Sequence, residues 1–121
     1  MKYTAITVYG IPNCDTVKKA RTWLTAQGYA PVFHDFKKQG LPETALSQWL
    51  KSLGWEVVVN RKGTSWRKLS PPEQASVNSN ASATPFLLAN PSLVKRPVIE
   101  WQTANGVEIT VGYQPDQWLA R

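Results

Sequence analysis

Across residues 4–36 the spacing of apolar residues changes from the two-residue period of a strand to that of a helix and back again, so the opening must be strand, helix, strand. From Thr4 to Tyr9, Ile6 and Val8 fall on one face and Ala5, Thr7 and Tyr9 on the other, in a β-branched run that Gly10 and Pro12 bring to an end. Val17, Ala20 and Leu24 then form an apolar stripe, and Gly28 supplies a C-terminal stop, which predicts a helix from Cys14 to Gln27. Val32–Phe36 alternates once more. Two strands joined through a helix are expected to lie parallel in one sheet, and Cys14 is placed at the helix N-terminus.

The rest of the chain reads as a helical middle followed by a hairpin and a last helix. Pro42 opens a helix with Leu46, Trp49, Leu50 and Leu53 on one face, and Gly54 ends it. Trp55–Val59 is ambiguous, because its valines favour a strand while five residues are too few for periodicity to decide. Ser70, Pro71 and Glu73 spell a capping box with proline at the first helical position, so a short helix starts there. NSNAS reads as the loop after it, and Thr84-Pro85 as the start of a helix through Phe86, Leu87 and Leu88 that Asn90-Pro91 closes. Val98–Trp101 and Val107–Val111 flank Asn105-Gly106, a pair suited to positive φ and hence to a β-hairpin. Pro115 and Asp116 open a final helix with Trp118 and Leu119, which Arg121 ends with favourable charge.

With 121 residues the chain has material for one domain rather than two full cores. The order βαβ, helices, ββα predicts an α/β fold, a thioredoxin-like mixed four-stranded sheet with an inserted helical lobe. The expected organisation is a single domain over 1–121, with the sheet-bearing core at 1–40 and 91–121 and the helical insertion at 41–90.

Composition narrows the chemistry. A single cysteine, Cys14, cannot form an intramolecular disulfide, which removes the disulfide-stapled secreted class and fits a reducing compartment. No apolar run approaches the roughly 20 residues of a membrane-spanning helix, and MKYTAITVYG carries no signal-peptide core. A cytoplasmic protein without a membrane partner is expected. Asn80-Ala81-Ser82 fits the glycosylation pattern, which carries no weight without a secretory route. The net charge of +6 attracts anions without naming one.

A thiol in the first turn of a helix faces unpaired backbone N–H groups, here those of Asp15, Thr16 and Val17, and the positive end of the helix dipole. Such positions lower a cysteine pKa from about 8.5 into the range of roughly 3.5 to 7.5, which makes the sulfur a nucleophile at neutral pH. The same N–H groups can cradle an incoming oxyanion. Asp15 opposes this unless it turns away or pairs with a lysine such as Lys18. A lone cysteine is more often a small buried hydrophobe, but Cys14 stands in the polar turn GIPNCD between strand and helix, where side chains project past the end of a sheet.

VYGIPNCDTVKKARTWL, NRKGTSWRKL, NPSLVKRPVIEW and VGYQPDQWL, four blocks in order over nearly the whole chain, resemble the arsenate reductase (ArsC) family, in its small YffB-like branch related to Spx. The resemblance implies the thioredoxin fold with a helical insertion, Cys14 as the redox nucleophile, and a helix at Trp55–Asn60. Arg61 and Arg96 match two of the three arginines that surround the cysteine in arsenate reductases. At the third position this chain has Val111-Gly112-Tyr113, so one charge that would hold arsenate is missing. The resemblance also implies a cis bond before Pro97, facing the cysteine. Lys95, Arg96 and Arg61, with Asn13 beside the thiol, are then expected to line an anion pocket at Cys14, since guanidinium groups grip oxyanions and carboxylates through paired hydrogen bonds.

The function these readings imply is a thiol-dependent thiol/disulfide or oxyanion reductase in which the Cys14 thiolate attacks an electrophilic sulfur or an oxyanion and forms a covalent intermediate. One thiol cannot resolve that intermediate alone, so glutathione is the expected co-substrate, with glutaredoxin as a candidate partner and no bound cofactor. The alternative is an Spx-like adaptor that binds RNA polymerase, although Spx regulators carry a CxxC pair and the matching position here is Val17. Nucleic-acid binding would rest only on the KKAR and RKGTSWRK runs, which solvated basic faces explain as well. His34, the one histidine, lies in a predicted strand, reads as structural and makes no metal site. The tryptophans read as packing residues, Trp66 being a candidate to flank the pocket.

Overall fold

In the computed structural model, which describes residues 3–119, a mixed sheet of four strands forms in the order β2-β1-β3-β4. The strands are β1 (Ala5–Gly10), β2 (Val32–Asp35), β3 (Val98–Thr103) and β4 (Gly106–Val111). β1 pairs parallel with β2, and β3 pairs antiparallel with both β1 and β4. The chain divides into two compact units, one running to Gln39 and resuming at Arg96, the other spanning Gly40–Lys95.

In the sheet-bearing unit the alternation of β1 does what its pattern predicts. Ile6 and Val8, with Ile99 and Trp101 of β3, bury against Val17, Ala20 and Leu24 of α1 (Asp15–Ala26) and Trp118 of α8 (Pro115–Leu119). These side chains make one contiguous core, in which full burial of each large apolar group contributes about 1.5–3 kcal/mol. On the opposite face Tyr9 stacks at 4.8 Å on His34, its register partner, and donates a hydrogen bond to Glu100 at 3.0 Å. His34 is thus a packing residue of β2. β2 stops at Asp35, one residue short of the sequence expectation, because Phe36 begins a short helix, α2 (Phe36–Gln39). The Asp35 carboxylate accepts from the Lys37 N–H at 2.8 Å, which caps that turn.

The hairpin forms, but within its turn only Gly106 takes positive φ (127°), and among the described residues none other than glycine does so. Gly106 pairs with Thr103 as the first residue of β4, so Ala104 and Asn105 alone form the turn. The Arg121 end of the last helix lies outside the described residues.

The other unit is helical: α3 (Glu43–Leu53), α4 (Trp55–Val58), α5 (Thr64–Arg67), α6 (Pro71–Ser76), α7 (Asn80–Ala89) and a 3-10 turn at Pro91–Leu93. Leu46, Trp49, Leu50, Val58, Ala83, Leu87 and Leu93 are buried in it. The ambiguous valines divide between both readings. Val58 ends α4, and Val59 leaves the helix to form an antiparallel bridge with Val94, so the helix implied as far as Asn60 stops two residues early. The basic segment contains a turn of helix, α5, that its sequence did not announce.

The capping box at Ser70 forms as read, with the Ser70 hydroxyl accepting from the Glu73 N–H and the Glu73 carboxylate accepting from the Ser70 N–H. The Thr84-Pro85 start does not. α7 begins within the presumed NSNAS loop, capped by Ser79, whose hydroxyl accepts from the Ser82 N–H at 3.0 Å. Asn80 fixes this start, accepting from the Trp55 N–H at 2.8 Å and donating to the Leu50 carbonyl at 3.0 Å. Pro85 therefore lies inside the helix, where it deprives the Ala81 carbonyl of its partner. Ala81 is exposed, so water can meet that carbonyl.

Candidate active site

Cys14 is the N-cap of α1, with extended backbone (φ −96°, ψ 123°), and its carbonyl accepts the Lys18 N–H at 2.9 Å. What puts it there is local. Gly10 is buried at the end of β1 so close to α1 that a Cβ would come within 2.7 Å of Val17 Cγ2. A turn closed by the Cys14 N–H to the Ile11 carbonyl at 3.4 Å then carries the chain into the helix. The thiol is half-buried and packs against the edge of the core.

Burial alone would push the Cys14 thiol up. The Val17 N–H, the Arg96 side chain, the Thr16 N–H and the Arg96 charge together outweigh burial and hold the thiol below its ordinary value. The sulfur makes no cap hydrogen bond of strict geometry, so the two N–H groups act on it chiefly as oriented dipoles. Of the three N–H groups predicted from the sequence, those of Thr16 and Val17 act on the sulfur. Asp15 is exposed.

Arg96 reaches the sulfur from two residues before β3. The Arg96–Pro97 peptide is cis, as the resemblance implied, and the Pro97 carbonyl accepts the Gly112 N–H at 2.9 Å. Gly112 takes φ 82° and turns the chain out of β4 into Tyr113. At the position of the missing third arginine the chain thus presents an aromatic ring, half-buried against the same core cluster that Cys14 touches. Sequence reasoning marked this position only by the absent charge; a tyrosine directly after the glycine was the available signal.

Of the predicted set, Asn13, Arg96 and Pro97 share the unit of Cys14, while Arg61 and Lys95 belong to the helical unit. There Arg61 and Lys95 line a cavity of about 280 Å³ with Asn60, Lys62 and Glu56. The Lys95 N–H donates to the Val58 carbonyl at 2.8 Å, and the Asn60 N–H to the Leu93 carbonyl at the same distance. The aromatic ring beside Arg61 is Trp55, 5.2 Å away, and not Trp66, whose carbonyl instead accepts from the Gln74 amide. Among the described residues no three His, Cys, Asp or Glu side chains gather as metal ligands, and no helix is long and apolar enough to cross a membrane.

A half-buried thiol with a lowered pKa, facing one guanidinium, can attack an electrophilic sulfur or oxyanion and hold an anionic group of the reactant at Arg96. Comparison with known proteins agrees with the geometry. The ArsC family profile matches residues 9–121. A solved structure of a YFFB protein aligns with a TM-score of 0.87 at 42% identity, covering 96% of this chain and 97% of that one. The solution structure of an arsenate reductase (ArsC) related protein from Brucella melitensis aligns with a TM-score of 0.73 at 44% identity, covering 97% of this chain and 93% of that one. The global transcriptional regulator Spx of Streptococcus agalactiae is 29% identical over 96 residues, which are 78% of this chain and 69% of that protein.

Proposed function

The chain belongs to the ArsC family, with its thioredoxin-type fold, and from that premise we propose that it is a monothiol, glutathione-dependent reductase acting through the Cys14 thiolate. The observation that carries this reading is the pairing of Arg96 with a thiol held below its ordinary pKa at a helix N-terminus.

The Cys14 thiolate attacks the glutathionyl sulfur of a mixed disulfide. A Cys14–glutathione S–S bond forms, the original S–S bond breaks, and the partner leaves as a thiolate that takes a proton from water. A second glutathione thiolate then attacks the bound glutathionyl sulfur, producing oxidised glutathione and restoring the Cys14 thiolate. The disulfide is reduced by two electrons and two glutathiones are oxidised to one disulfide, counting the glutathione first carried by the substrate. Arg96 suits the carboxylates of glutathione because a guanidinium presents paired donors to a carboxylate. Arsenate is the poorer substrate, since the third family arginine is replaced by the Gly112-Tyr113 turn.

The test is turnover of a glutathionylated reporter peptide by the wild type, Cys14→Ser and Arg96→Ala. Wild-type turnover that vanishes in Cys14→Ser and slows in Arg96→Ala supports the reading; turnover retained in Cys14→Ser refutes it. The likeness to Spx favours a second reading, a non-enzymatic adaptor that binds RNA polymerase. In this chain the position of a second switch cysteine is Val17, which is fully buried in the core. Capture of RNA polymerase by an inactive wild-type protein would favour the adaptor.

A further inference from the structure

The outer face of α1 carries a feature that thiol chemistry at Cys14 does not use. Two adjoining cavities, of about 560 and 450 Å³, share Lys18, Thr22 and Ala26. The first adds Arg21 and the second Lys19, Trp23 and Tyr113, and neither is lined by a carboxylate. The floor of the second is apolar and preset: Trp23 and Tyr113 both pack edge-on against Trp118, at 5.3 and 5.5 Å. Its rim is cationic, with Lys18 and Lys19 exposed.

The usual reasons for such charges do not account for them. Cations that complement a helix dipole belong in the last turn, yet the last turn of α1 has none. The one acid of the helix, Asp15, lies in its first turn and can offset one of the three cations. Arg21 is itself anchored, its guanidinium 4.1 Å above the Phe33 ring. The face is therefore a fixed apolar shelf beneath cations that outnumber the one acid of their own helix. It also begins one helical turn from the thiol, since the Lys18 N–H bonds to the Cys14 carbonyl.

We propose that the outer face of α1 docks an acidic segment of a protein partner, with an aromatic or aliphatic side chain resting on Trp23 and Tyr113 and flanking carboxylates meeting Lys18, Lys19 and Arg21. A small free anion would have no use for the apolar shelf. A nucleic acid stacks successive bases along a track of rings, whereas this face offers a single shelf of two rings, Trp23 and Tyr113. That the docked protein is the one exchanging thiols with Cys14 rests on the reductase reading; the docking itself does not.

The experiment uses full-length Cys14→Ser protein, which cannot form a mixed disulfide, so that a failed reductase reading leaves its outcome intact. Binding is read by fluorescence anisotropy of a fluorescein-labelled decapeptide of alternating glutamate and phenylalanine. The comparison probes are its glutamate–glycine and lysine–phenylalanine counterparts and a ten-nucleotide oligothymidylate. The glutamate–phenylalanine peptide is expected to bind about tenfold tighter than each of the other three, and to lose about tenfold when Lys18→Glu and Lys19→Glu are combined. A second variant, Thr22→Glu, places a repelling carboxylate at an exposed position common to both cavities and is expected to weaken binding likewise. Equal affinity for the glutamate–glycine peptide, equal or tighter oligothymidylate binding, absence of binding, or an affinity unmoved by both variants overturns the proposal.

Discussion

Gly10 ends β1 directly against Val17 of α1, so closely that any side chain at residue 10 would collide with the valine. This contact sets the distance between strand and helix, and with it the position of the N-cap thiol between them. Gly10→Ala is expected to destabilise the protein by about 1–3 kcal/mol, the ordinary range for an overpacked site. Urea denaturation measures this, and adding Val17→Ala in the same chain should recover part of the loss. Unchanged stability in Gly10→Ala would mean that the strand and helix are not held at this spacing.

The second prediction concerns ionisation of Cys14. Iodoacetamide alkylation of the wild type across pH should show a midpoint below the ordinary thiol value of about 8.5, and Arg96→Ala should move the midpoint up. The sign for stability follows. With the folded pKa depressed, the unfolded chain binds more protons between the folded value and about 8.5, so the sulfur's contribution grows as pH rises through that window. It is fully present above the unfolded value and is lost as pH falls through the folded one. Cys14→Ser should remove this pH dependence from the unfolding curves, and an Arg96→Ala midpoint equal to wild type would detach the guanidinium from the thiol.

Tyr9 offers a test on the other face of the sheet. Burial, the Glu100 charge and the hydrogen bond to Glu100 together push the Tyr9 phenol far above its usual range. Alkaline titration of tyrosinate absorbance to pH ~11.5 should therefore give the same amplitude for wild type and Tyr9→Phe, because Tyr9 stays protonated while folded. Its effect on stability is present below about pH 10 and is lost as pH rises toward the folded pKa. A smaller amplitude in Tyr9→Phe would show that the phenol ionises freely.

At the start of α7, Ser79 is the structural cap and Thr84 the residue that a local pattern nominates. Ser79→Ala is expected to cost about 1 kcal/mol, the usual loss for a removed N-cap. Thr84, whose hydroxyl donates to the Asn80 carbonyl at 2.8 Å within the helix, should cost clearly less on replacement by alanine. Thermal melts of the two variants decide between them; a larger loss in Thr84→Ala would contradict the observed helix start.

The legible parts of this protein were those whose cause lies within a few residues. The β1 alternation, the α1 stripe behind Cys14 and the Ser70–Glu73 box each depend on groups close along the chain, and each formed as read. The chemistry of a thiol at a helix N-terminus is equally local, so Cys14 could be singled out from its turn. Arg96 could be attached to it only through resemblance, because 82 positions of chain separate them and no spacing rule joins the residues ahead of a strand to a helix cap.

The misreadings share the opposite property. Val57, Val58 and Val59 divide between helix and bridge because Val94 is present to pair with Val59, a partner that propensity does not see. The choice between Ser79 and Thr84 was settled by the Asn80 amide, which bonds the Leu50 carbonyl and the Trp55 N–H some 30 and 25 residues away. The sequence by itself determined the strand–helix–strand opening, the place of its one thiol at a helix N-terminus and the caps written in adjacent residues, since backbone geometry and side-chain period act over a single turn. Only the tertiary structure decided which cation meets the sulfur, where α4 and α7 begin and end, and that Trp23 and Tyr113 form one shelf. Those outcomes depend on hydrogen bonds and ring contacts between residues that the chain brings together only when it is folded.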